Sequence, residues 1–142
     1  TGAAAVVLFN RFYQPDINIE KMTQVAGNVF SNEADLAKAL RWTGIASAAV
    51  SKIDYAISGG IHSAEGVVKA ILAGASAVEI CSVLYQESSA VINEYNKFVA
   101  DWMAKKGMES IAQFKGKLNV GDVKGVNTFE RTQFLKYFSS HE

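Results

Sequence analysis

The sequence is 142 residues long, 49% hydrophobic and 20% charged, the make-up of an ordinary globular protein of single-domain size. Its 14 Lys and Arg balance 14 Asp and Glu with no basic stripe, so no nucleic-acid partner is expected. No apolar run approaches the roughly 20 residues that span a bilayer, so no membrane partner is expected either, and the lone Cys81 excludes an internal disulfide and suits a reducing, cytoplasmic setting.

The chain opens Thr1-Gly2-Ala3, with neither an initiator Met nor a leader peptide, and reads as a piece of a longer protein. Ala4 to Phe9 is an almost wholly apolar run, the pattern of a parallel strand buried on both faces, and Asn10 closes it. A stretch of polar and aromatic residues from Arg11 to Phe30 follows, holding the only proline, Pro15. It is long for a connection between a strand and a helix. Two readings stand: a lid or substrate loop carrying Arg11, Tyr13 and Gln14, or a loop with a small hairpin that packs over the rim or meets another subunit.

Ser31 or Asn32 caps a crossover helix from Glu33 to about Ser51, with Leu36, Ala39, Leu40, Thr43, Ser47 and Val50 on one face. Trp42 on that helix reads as packing. Ile53 to Ser58 is the next strand, and Gly59-Gly60 the turn that leaves it. Ser63 caps a helix from about Ala64 to Ala73, and Gly74 stops it. Ala77 to Cys81 is a third strand, which a crossover of this length makes a parallel neighbour of the second. Ser88 or Ser89 caps a helix to about Lys106 with Val91, Tyr95, Phe98, Val99 and Trp102 as its apolar stripe, and Glu109 to Phe114 forms a short helical turn. Beyond it Asn127-Thr128-Phe129-Glu130 offers a capping box for a last helix through Phe138.

Two turns of small residues, Gly59-Gly60 and Cys81-Ser82, therefore lie side by side at strand ends, in outline a phosphate cradle. Ser58-Gly59-Gly60-Ile61, the helix ending Leu72-Ala73-Gly74-Ala75-Ser76-Ala77-Val78, and Ile80-Cys81-Ser82-Val83-Leu84-Tyr85 together resemble the last βαβ unit of the FMN-dependent (β/α)8 barrels, most of all dihydroorotate dehydrogenase. Trp102-Met103, Lys106-Gly107, Ser110-Ile111-Ala112 and Phe114-Lys115-Gly116-Lys117-Leu118 resemble the C-terminal segment of its soluble class. Val7-Leu8-Phe9-Asn10 resembles the strand whose terminal Asn contacts the pyrimidine. The ending from Phe129 to Phe138 resembles that of a dihydroorotate dehydrogenase-like group without an assigned substrate.

The resemblance implies an α/β fold, the C-terminal portion of a TIM (β/α)8 barrel with about three parallel strands and a helical tail. Residues 1–118 would be barrel and residues 119–142 an extension. It further implies FMN as cofactor, with Ser58, Gly59, Gly60, Cys81 and Ser82 at the flavin phosphate. Asn10 and Arg11 would face a small-molecule substrate, dihydroorotate, oxidised to orotate in pyrimidine biosynthesis.

At Cys81 and Ser82 the family usually has Gly and Thr, and Arg11 stands where a small hydroxyl residue is usual. Arg11 there could pair with a carboxylate or phosphate of a different substrate. Cys81 has no visible base partner and reads as a buried small hydrophobe, while His62 could meet the phosphate, cap the helix or simply lie at the surface. No metal site is supported, since His62 and His141 are isolated. Competing readings are a non-flavin phosphate-binding barrel, such as a sugar-phosphate isomerase or synthase, and a non-catalytic oligomerisation module. Three strands with open edges imply a homo-oligomer, or association with the strands that would precede them.

Overall fold

The computed structural model describes residues 2–10 and 14–121. Arg11 and the helix expected between Asn127 and Phe138 lie outside them.

Three parallel strands form the sheet: β1 (Ala5–Leu8), β4 (Asp54–Ser58) and β5 (Ala77–Glu79), with β4 in the middle. Val7 pairs with Ala56 and Ile57 with Val78, so the three C-terminal ends come level. In β4 the strand alternation buries Tyr55 and Ile57 on one face and leaves Asp54 exposed on the other. Helix α1 (Leu36–Ala49) covers the buried face, and helix α2 (Ala64–Ala73), the crossover from β4 to β5, lies beside it. Helix α4 (Ala90–Lys105) forms an outer layer on α2. No described helix is long and apolar enough to cross a membrane.

The core follows this layering. Leu36, Ala39, Ile57, Ile61, Ala70 and Ala75 close the space between sheet and helices. Val68, Ile71, Val99 and Phe114 fill the space between α2 and α4, where Trp102 packs on Phe114 with ring centroids 5.0 Å apart. The expected stripe of α4 is therefore the one that packs.

Local chemistry sets the helix ends. The Ser63 Oγ accepts from the Gly66 N–H at 3.3 Å, and Gly74, in the left-handed region at φ 118°, terminates α2. Asn32, not Ser31, makes the cap before α1: its Oδ1 accepts from the Ala34 N–H while the Asp35 carboxylate accepts from the Asn32 N–H, around a 3-10 turn Glu33–Asp35. At the far end of α1 the buried Tyr55 hydroxyl lies 3.0 Å from the Ala46 carbonyl and 2.9 Å from that of Val50, supplying a partner where the helix runs out of its own. The N–H groups of Gly116 and Leu118 close on the carbonyls of Ile71 and Leu72, which ties the C-terminal described segment to α2.

One expectation changes. β1 is not buried on both faces: Val7 is 51% exposed, because β1 pairs only with β4 and nothing described covers the face opposite the helices. The stretch between β1 and α1 contains a small antiparallel hairpin, as one of its two readings had it: β2 (Pro15–Asn18) with β3 (Thr23–Ala26). Pro15 starts β2, where no ladder donor is needed. Ile17, Ile19 and Met22 on this hairpin are exposed.

Candidate functional site

The C-terminal ends of the three strands open onto one cleft of about 160 Å3. Asn10 from the end of β1, Ser58, Gly59 and Gly60 from the end of β4, and Glu79, Cys81 and Ser82 from the end of β5 all line it. Five cofactor-site residues expected from sequence and one of the two substrate residues are thus brought together. In parallel α/β sheets this end of the strands is where ligands bind.

The two glycines of the turn have different reasons to be glycine. Both hold positive φ, 89° at Gly59 and 78° at Gly60, which a side chain disfavours. A Cβ at Gly60 would stand 2.2 Å from the Leu36 nitrogen and 2.8 Å from the Asp35 carbonyl carbon, so the turn is pressed directly against the start of α1. A Cβ at Gly59 would meet nothing within 4 Å. Gly60 is thus fixed by packing, whereas the position beside Gly59 is open space. Among the described residues no acceptor engages the Gly60 N–H. The N-terminus of α2 lies four residues beyond and adds a favourable potential for an anion.

A chain of hydrogen bonds crosses the rim. The Ser31 N–H donates to the Ser82 Oγ at 3.0 Å, the Ser31 hydroxyl donates to the same oxygen at 3.0 Å, and the Ser31 Oγ is 2.8 Å from the His62 Nε2. All three residues are half-buried. His62 is therefore neither a loose surface imidazole nor the cap of α2, which Ser63 supplies. Ser31 gave no sign of this in the sequence, where it competed with Asn32 for the same capping role; the contact spans 51 residues and depends on the strand ends being level.

Cys81 departs from expectation. It is exposed, not buried, because β5 ends at Glu79 and Cys81 sits on the turn into a short helix, α3 (Ser82–Gln86), at the open rim. Glu79, at the end of β5, also lines this cleft.

An adjoining cleft of about 150 Å3 is lined by Phe9, Asn10, Gln14, Asp35 and Lys38. Phe9 is held at φ 66°, unusual for a residue with a side chain, and the Lys38 ammonium sits 4.7 Å above its ring. Such strain costs about 1–3 kcal/mol and is typical of ligand-facing turns. It carries the chain away from the strand so that Asn10 borders both clefts. Among the described residues no group of His, Cys, Asp and Glu could hold a metal.

The chain is 34% identical over 62 residues to a dihydroorotate dehydrogenase (fumarate) from Lachancea kluyveri, a match covering 44% of this chain and 20% of that protein. It is 39% identical over 61 residues to a probable dihydroorotate dehydrogenase A (fumarate) from Enterococcus faecalis, covering 43% and 20% respectively. The matches thus span about a fifth of these curated relatives. No protein-family model matches. Among solved structures, DHODH from Eimeria tenella, crystallised in complex with ferulenol, superposes with a TM-score of 0.64 at 19% identity, over 80% of this chain and 30% of that one. In sequence over part of its length and in fold over most of it, the chain is a dihydroorotate dehydrogenase-like portion of a (β/α)8 barrel.

Proposed function

We propose that the chain carries the flavin phosphate site of an FMN-dependent oxidoreductase resembling dihydroorotate dehydrogenase. The observation that supports it best is the single cleft at the strand ends, where Gly59 stands open beside Gly60, Cys81 and Ser82. These residues fit a phosphate: backbone donors from a glycine turn, a serine hydroxyl opposite, and room that a Cβ at Gly59 would fill. Ser58, Gly59 and Gly60 would hold one side of the group and Cys81 and Ser82 the other. When bound, FMN supplies a hydride acceptor. Asn10, on the same cleft, has the paired donor and acceptor to orient a pyrimidine imide edge, and Arg11 would stand next to it in sequence.

The substrate on this reading is dihydroorotate or a related small acid, and the setting is cytoplasmic. On this reading a proton-abstracting Cys or Ser and a flavin-supporting Lys would stand on strands earlier in the barrel than β1, β4 and β5. General-base catalysis alone is typically worth ~10²–10⁴ in rate. The chain by itself is therefore expected to be inactive toward dihydroorotate. A dye-coupled assay with excess FMN tests this: the expected result is no turnover, and turnover at a rate typical of a complete enzyme would mean that the catalytic groups lie within these 142 residues. Flavin absorbance in a purified longer protein containing this sequence supports the FMN reading, and its absence counts against it.

A further inference from the structure

The geometry points to Ser31 and His62 as positioning residues that aim the Ser82 hydroxyl into the cleft as a donor to a bound phosphate. The inference rests on the phosphate reading above and adds to it two residues from other parts of the chain. It follows from hydrogen-bond bookkeeping at one oxygen. The Ser82 Oγ receives two donors from Ser31, one from the backbone N–H and one from the hydroxyl, both at 3.0 Å. A serine oxygen has two lone pairs and one proton. With both lone pairs taken by Ser31, the hydroxyl cannot accept from a ligand and its one remaining function is to donate.

The His62 tautomer sets the direction of the chain. With His62 in the tautomer that presents Nε2–H, the Ser31 hydroxyl accepts from it at 2.8 Å and gives its own proton to Ser82. The proton order is His62 to Ser31 to Ser82 to the cleft. Among the described residues nothing accepts the Ser82 hydroxyl proton, and Ser82 and Ser31 both line the cleft with Gly59 and Gly60. Each member of such a chain polarises the next, and half-burial reduces competition from water. A phosphate oxygen at the end of the chain is the acceptor that completes it.

The arrangement also explains why three separate segments meet here. Ser31 lies just before α1, His62 follows the glycine turn, and Ser82 starts α3. Gly60 pressed against Leu36 keeps the first two in register. The donor is thus oriented before any ligand arrives, which lowers the ordering cost of binding.

The test is an amide-resonance titration of the full chain with FMN, with riboflavin, which lacks the phosphate, and with inorganic phosphate. Signals of Gly59, Gly60 and Ser82 report the site. The expected result is tighter binding of FMN than of riboflavin. Ser31→Ala and His62→Leu should each weaken FMN and inorganic phosphate on the order of fivefold, the worth of one ordinary net hydrogen bond, and leave riboflavin unchanged. Ser31→Thr and His62→Gln, which keep a donor at each step, should restore most of the loss. Wild-type FMN affinity in both Ser31→Ala and His62→Leu would overturn the inference while leaving the phosphate site standing. So would an equal loss for FMN and riboflavin, which marks a packing defect. No preference for FMN over riboflavin in the wild-type chain would overturn the phosphate reading and the relay together.

Discussion

Replacing each glycine of the Gly59-Gly60 turn by alanine separates a packing role from a binding role. Both positions require positive φ, at 89° and 78°, and forcing an alanine there costs about 1–2 kcal/mol. Part of that is offset by the stiffer unfolded chain, worth about 0.4–1 kcal/mol. For Gly59→Ala this is the whole effect, since its Cβ would enter open space, and a net loss of about 1 kcal/mol is expected. At Gly60 the Cβ would also lie 2.2 Å from the Leu36 nitrogen and 2.7 Å from its Cα. These are backbone atoms at the head of α1, and they can yield only if the helix moves. A total loss of about 3 kcal/mol or more is expected, in the range of strained buried sites. For a protein of this size that corresponds to melting about 10 °C lower for Gly60→Ala, against about 3–4 °C for Gly59→Ala. Circular dichroism melts of the two variants decide it. Equal losses would refute the assignment of Gly60 to packing against α1, and a larger loss at Gly59 would reverse it.

Asp54 is held below its ordinary carboxylate range, first by its hydrogen bond from Lys115 at 2.8 Å, then by that from Ser76. A depressed carboxylate adds stability above its unfolded value that is lost as pH falls through the lower folded one, so acid melts below about pH 4 should steepen; Lys115→Met should flatten that slope. Tyr55→Phe removes the hydroxyl that meets the carbonyls of Ala46 and Val50 and should cost about 1–2 kcal/mol in urea unfolding. Thr43→Val, by contrast, deletes a fully buried hydroxyl that has no partner among the described residues, and should leave stability unchanged or raise it by about 1 kcal/mol. With β1 and β5 at the edges of the described sheet and Val7 open on its uncovered face, light scattering should find the chain associated rather than monomeric.

Helix α2 was legible to the residue, because Ser63 and Gly74 bound it through local chemistry that a sequence displays directly. The parallel order of β4 and β5 was legible for a related reason, since a ten-residue crossover permits little else. The features that escaped depend on segments far apart in the chain. The contact of Gly60 with Leu36, the turning outward of Cys81, and the passage of Ser31 from capping candidate to hydrogen-bond partner of Ser82 each follow from how strand ends and helix starts meet. Asn32 and Ser31 were equal candidates for one cap, and only the tertiary contact from Ser82 shows why Asn32 takes it. The hairpin of β2 and β3 stands in the sequence only as one of two readings, because its strands are short and show no clear alternation.

On the proposed function the turns at the ends of β4 and β5 grip one phosphate. A crystal structure of the chain soaked with FMN tests it most directly. Phosphate density is expected between the Gly59-Gly60 and Cys81-Ser82 turns, within hydrogen-bond distance of the Gly60 N–H and the Ser82 hydroxyl. A phosphate bound elsewhere, with that cleft holding only solvent, would contradict it.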